Sequence, residues 1–232
     1  MDRLELAWLV RGVGILSLLV IAVGAAMPRP AVSAEAKKAL GDLGFRGPVT
    51  GIALSRSTTV YRLVAGNGPE DQRRVPLRRN LRLDFLFMAG YLLLYAGLAA
   101  ILAQRGGVWM ALGVAAAALA AIAVVFDVSE NLRLLALLAG GGTDGLDGVW
   151  LVSTLKWTAI SASALILSTL FFGHRDFLMA VGGLLLLSGA LGVLTVWRGW
   201  LAEWCFWPLL LALPGILALA FKPEWLLRHL QP

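Results

Sequence analysis

The sequence predicts an all-α, polytopic membrane helical bundle: six transmembrane helices, with about 55 residues between the first and the second. Three observations predict it. Of the 232 residues, 59% are hydrophobic and only 15% charged, whereas a soluble domain is about a quarter charged. Six stretches reach the roughly 20 apolar residues that a helix needs to cross a bilayer. Glycine, proline and charged clusters punctuate them.

The first stretch covers residues 7–27. Val32-Ser33-Ala34 before Glu35 has the small-residue form of a signal cleavage site, but Pro28 and Pro30 intervene and the apolar run is long for a signal peptide, so it reads as a retained anchor. Residues 28–82 form the one sizeable soluble segment. Within it, 34–43 reads as a short amphipathic helix stopped by Gly44, and 49–64 as extended or a second surface helix. The run from Arg73 to Arg82 is a basic approach to the second stretch, 83–103. The third stretch, 108–126, continues as helix to Leu138, where Gly140-Gly141-Gly142 ends it. The fourth runs 149–172, the fifth 177–197 and the sixth 204–221. Pro208 and Pro214 are expected to kink the last, which helix neighbours tolerate in a membrane. The organisation expected is a four-span core, 1–172, and a Trp-rich hairpin with tail, 173–232.

Charge and cysteine usage narrow the function. The formal charge of +6 is concentrated near the spans, which favours membrane-surface electrostatics over nucleic acid. One cysteine, Cys205, excludes an intrachain disulfide framework. With two distant histidines, His174 and His229, it cannot build a Cys/His zinc site. Six spans place both termini on one side. The short loops favour cytoplasmic termini, while the arginines of the long segment count the other way.

The polar residues converge at one level. Asp127, Glu130 and Asn131 stand at i, i+3 and i+4, on one helix face. Charge beside lipid is costly, and such groups usually face a protein interior, a partner or a cavity. The second span starts on the side where the third ends, and carries Asp84 in its first turn. The fourth span starts there too, with Lys156 about 10 Å in at 1.5 Å per residue. Tyr91, Tyr95 and Arg133 are secondary candidates. Each has a plainer role available: Asp84 as a helix cap, the tyrosines as packing or interface anchors, Lys156 snorkelling to the surface. The whole cluster can equally be an ion-pair clasp between three helices. As a reaction centre, paired carboxylates beside a lysine can hold a proton for acid/base work. Oxygen ligands of this kind also suit a hard cation, but no dedicated metal motif is present, and no metal or cofactor is expected. Trp197, Trp200, Trp204 and Trp207 read as an interfacial belt. Gly182, Gly183 and Gly189 permit close helix approach, within the chain or between copies.

Leu83-Asp84-Phe85-Leu86-Phe87 with Tyr91, then Asp127-x-x-Glu130-Asn131, then Leu155-Lys156-Trp157 resembles the pattern of a family of small, uncharacterised bacterial integral-membrane proteins. Those proteins have one span, a substantial loop and three more spans, and the likeness covers about residues 7–172. It implies a bacterial inner membrane and one constellation of Asp84, Asp127, Glu130, Asn131 and Lys156, with the last two spans as an addition. It implies no activity.

The functional expectation is an interfacial Asp/Glu/Asn/Lys site that binds a polar-headed amphiphile or lipid, with processing of it as the further option. Membrane lipids are then the first partners. One alternative is an accessory or assembly subunit, whose charges are structural and whose hairpin or basic loop meets a membrane-protein partner or a second copy. The other is an ion- or proton-coupled transporter. It is disfavoured because no inverted repeat and no polar path beyond the cluster are visible.

Overall fold

The computed structural model describes residues 3–28, 30–140, 142–172 and 177–227. Gly141, His174 and His229, which entered the reading above, lie outside the described residues. Six helices are long and apolar enough to cross a membrane. They are α1 (Arg3–Ala26), α5 (Arg74–Ala103), α6 (Gly107–Gly140), α7 (Leu146–Ser168), α8 (Phe177–Val193, extended by a 3-10 turn to Val196) and α9 (Leu201–Phe221). Between α1 and α5 lie α2 (Ala34–Asp42), α3 (Pro48–Ser55) and α4 (Thr58–Ala65), and α10 (Glu224–Leu227) follows α9. No strand occurs among the described residues. This is a multi-pass helical membrane architecture.

The long helices pack in chain order. α5 meets α6, α6 meets α7, α7 meets α8, α8 meets α9, and α9 returns to α1, which also packs on α5. The α8–α9 hairpin thus lies between α7 and α1 and completes the circuit. Apolar helices gain little hydrophobic drive from one another in lipid, so close van der Waals contact holds them. Small residues allow that contact. A Cβ on Gly14 would sit 2.6 Å from Ala220 N, where α1 meets α9, and one on Gly113 would sit 2.5 Å from Ala99 O, where α6 meets α5. Gly182 and Gly189 face Ser168 and Leu165 of α7, which gives these two a packing role inside the chain.

The connection between α1 and α5 is largely helical and roofs one end of the bundle. Ser33 and Ser57 cap α2 and α4, their hydroxyls accepting from Ala36 N and Val60 N, as N-cap serines do. Arg56, at φ 54°, turns the chain between α3 and α4. Its guanidinium lies 3.5 Å from the Trp150 ring centroid and 3.4 Å from Asp147 Oδ1, both on α7. Glu203 of α9 accepts from Arg46 N at 2.8 Å and Gly47 N at 2.7 Å, seating the start of α3. Leu40, Ile52, Val60 and Val64 of the roof pack on Leu77, Leu81, Leu134 and Leu138 of α5 and α6. Trp200 joins this packing, while Trp197, Trp204 and Trp207 remain exposed.

One expectation needs correction here. The second span does not start at residue 83; its helix begins at Arg74. Pro76 is no obstacle, because the first-turn N–H groups have no helical partner anyway. The arginines of the basic approach, Arg73 to Arg79, and Arg82 after it divide between burial and exposure. Arg74 is fully buried. It donates from Nε to Ala65 O at 2.9 Å, from Nη1 to Leu138 O at 2.6 Å and from Nη2 to Gly66 O at 3.1 Å. Arg73 binds Asp71 through two nitrogens, at 2.9 and 2.7 Å, and Arg78 donates to Leu138 O at 2.8 Å. Only Arg79 and Arg82 of the group are exposed. The carbonyls ending α4 and α6 have no helical donors, and arginines meet them instead.

Candidate functional site

Helix periodicity turns one face of α6 inward. Asp127, Glu130 and Asn131 are 5%, 3% and 1% exposed, whereas Leu132 beside them is 56% exposed. The inward face meets α5 on one side and α7 on the other. Lys156 of α7 places Nζ 3.0 Å from Asp127 Oδ1 and 2.7 Å from Glu130 Oε2. Tyr91 of α5 donates its hydroxyl to Asp127 Oδ2 at 2.9 Å. Asn131 donates from Nδ2 to Asp84 Oδ2 at 2.8 Å and, more weakly, to Leu81 O at 3.3 Å. Asp127, Glu130 and Lys156 therefore share one set of contacts, which Tyr91 joins directly, and Asp84 and Asn131 form a second pair beside it, so that all five residues named for the polar site lie at one place.

The early start of α5 removes the capping role for Asp84, which stands ten residues past Arg74 in mid-helix. Lys156 is likewise ten residues into α7, which begins at Leu146. Its side chain is 12% exposed, so it is engaged with the carboxylates rather than reaching for the surface. Tyr95 is buried edge-to-face against Tyr91, with ring centroids 6.4 Å apart, and packs rather than joining the ionic groups. Arg133 stays outside the network. It is exposed, and its Nε donates to Ser129 Oγ at 3.4 Å on its own helix.

Sequence reasoning missed two residues. Ser153 and Thr154 precede Lys156 by three and two positions and are buried, and the Thr154 hydroxyl has no hydrogen-bond partner. Ser153 sits beside the Glu130 carboxylate. Glu130 Oε2 is itself fully buried and lies 2.7 Å from Lys156 Nζ. The signal of Ser153 and Thr154 in the sequence is their spacing to the lysine, Ser153-Thr154-x-Lys156, which puts Ser153 one helical turn before it.

Charge counting gives the site its chemical character. Three carboxylates, Asp84, Asp127 and Glu130, face a single ammonium, Lys156. Fully ionised, the cluster would carry two surplus negative charges in a poorly solvated place, which is costly without further positive charge or donors. The arrangement can accept hydrogen bonds, attract a cation and exchange protons. Among the described residues, no group of three or more His, Cys, Asp or Glu side chains is placed to hold a metal ion. Comparison with protein-family models, with curated proteins and with solved structures finds no match to this chain, and the constellation therefore rests on its own geometry.

Proposed function

We propose that the network between α5, α6 and α7 binds the polar head of an amphiphile or lipid, with the apolar helices accommodating its chains. One observation carries this reading: a buried cluster in which two carboxylates, Asp127 and Glu130, meet one lysine, a third, Asp84, is held by Asn131 beside them, and the Thr154 hydroxyl lacks a hydrogen-bond partner. Buried polar atoms are normally satisfied, and a group left over asks for a partner. A head bearing donors or an amine supplies both the hydrogen bonds and the missing positive charge. Proton exchange with Glu130 or Asp127 is the chemistry then available for processing.

A second reading is favoured by the two short contacts of Lys156 with Asp127 and Glu130. On that reading the cluster is a clasp that fixes three helices in register, and the protein serves as a scaffold or accessory subunit. Native mass spectrometry of the purified protein separates the two, wild type beside Glu130→Gln. The binding reading expects an amphiphile that co-purifies with the wild type and is depleted in the variant while the fold survives. Identical co-purifying species in both proteins would sink it and leave the clasp.

A further inference from the structure

A second place on the same pair of helices has a different character. Where the segment after α4 crosses the ends of α5 and α6, a groove of about 400 Å³ is lined by Pro69, Glu70, Arg78, Arg82, Leu135 and Ala139. The Asp84–Lys156 network faces the bundle side of the α5–α6 seam; this groove opens on its outer side. Arg78 is pre-oriented there, because Nη2 donates to Leu138 O at 2.8 Å and reaches Pro69 O at 3.5 Å. Its remaining donors are left for another acceptor. Arg82, one turn further, is exposed and forms no hydrogen bond or ion pair among the described residues. Glu70, also exposed, brings a carboxylate to the same groove.

Two guanidinium groups one helical turn apart suit the oxygens of a phosphate. A carboxylate across the same groove suits an ammonium and repels a second anionic group. Below the groove the exposed surface is apolar. Leu86 continues the Arg78–Arg82 register at i+4 and is 60% exposed, and Leu93 follows at 54%. On α6, Leu132 and Val125 extend the face of Leu135 at 56% and 66% exposure. Charge above and aliphatic surface below is the order of groups in a phospholipid standing in a leaflet.

We propose that this groove seats a membrane phospholipid whose head carries both a phosphate and an ammonium. The phosphate lies on Arg78 and Arg82, the ammonium on Glu70, and an acyl chain runs along Leu86–Leu93 and Leu132–Val125. The site is separate from the buried network and does not depend on it.

The test uses the full chain in nanodiscs holding equal amounts of phosphatidylethanolamine and phosphatidylglycerol, with retained lipid read by native mass spectrometry. Wild type retains phosphatidylethanolamine in preference. Arg82→Ala, an exposed position, loses retained phospholipid about fivefold, the effect of one arginine near a membrane surface. Glu70→Gln keeps phospholipid but binds the two kinds equally. Arg79→Ala, which removes an exposed charge at the same level but outside the groove, retains lipid as wild type does. Glu130→Gln leaves this lipid in place, so failure of the groove and failure of the buried site are read separately. Unchanged retention in Arg82→Ala, an equal loss in Arg79→Ala, or a wild type without head preference would each overturn the proposal.

Discussion

Arg74 and Lys156 are both cations withdrawn from water, and their surroundings are opposite in kind. Arg74 is completely buried and donates to backbone carbonyls, Ala65, Gly66 and Leu138 at 2.6–3.1 Å and Leu137 at 3.5 Å, with the Tyr61 ring centroid 5.9 Å from its guanidinium. These carbonyls end α4 and α6, where helix dipoles present partial negative charge and no helical donors remain. The guanidinium and the two helix ends therefore complete one another. Lys156 faces two full carboxylates, with a third, Asp84, held by Asn131 beside them, and the Thr154 hydroxyl two positions before it stays unpartnered. About 15 Å of helix α5 separates Arg74 from Asp84, at 1.5 Å per residue. A buried charge with a balanced environment reads as structure. One with surplus charge and spare acceptors reads as a place where something else binds.

Removing Arg74 should break the first half of that comparison with the largest effect. Arg74→Met keeps much of the side-chain volume but leaves the Ala65 and Gly66 carbonyls without their side-chain donor and removes one of the ties from the roof to α6. Truncating one partner of a buried charged arrangement costs about 3–5 kcal/mol. Thermal unfolding in detergent should show a large drop in Tm, accompanied by faster proteolysis of residues 27–73. The contrast with Arg79→Ala is informative, because Arg79 is exposed. Equal Tm values for the two variants would mean that Arg74 does not hold the roof.

The second half is sharpened by unequal variants of one pair. Lys156→Met leaves Asp127 and Glu130 facing each other without their cation, and should cost about 3 kcal/mol. Glu130→Gln retains the Lys156–Asp127 contact and lowers the surplus negative charge, so it should stay within about 1 kcal/mol of wild type. Combining the two should recover part of the loss, since the repulsion created by the first is relieved by the second. A symmetric clasp predicts the reverse pattern: similar losses for both single variants. Chemical denaturation of the three proteins distinguishes these outcomes.

How far the sequence reveals these features depends on what each residue contacts. Apolar runs announce the six long helices, because length and hydropathy are properties of a segment alone. The i, i+3, i+4 spacing of Asp127, Glu130 and Asn131 likewise fixes their common face without knowledge of partners. Chain direction then brings Asp84 and Lys156 to the same level. Arg74 is different. A string of arginines before an apolar run has the composition of a lipid-facing segment, and only the folded roof shows which of them meets the ends of α4 and α6. The start of α5 is hidden for the same reason, since its first turns are polar and contain Pro76. Ser153 gains meaning only from the Glu130 carboxylate beside it, and Thr154 only from what fails to reach it.

A smaller effect is expected at the hinge between the roof and α5, and its sign follows from Asp71. Arg73 donates to this carboxylate from Nε, Nη2 and its backbone N–H, and those hydrogen bonds hold its pKa down to about 2, from an ordinary 3.8. Arg73 also donates from Nη1 to Leu63 O at 3.0 Å, so the pair links α4 to the start of α5. A carboxylate with a depressed folded-state pKa stabilises the fold at pH values above its unfolded pKa, and that contribution fades as pH falls through the folded one. The link is therefore complete above about pH 4 and lost towards about pH 2. Asp71→Asn cannot titrate and accepts weaker hydrogen bonds from Arg73. Its Tm should lie slightly below wild type near neutral pH, and the two curves should converge as acid protonates Asp71. The pair is solvent-accessible and screened, which keeps the difference small and makes it shrink further with added salt. Parallel Tm curves that never converge would show that Asp71 acts through shape alone, by filling the space against Gly66, where a Cβ would collide with its carboxylate.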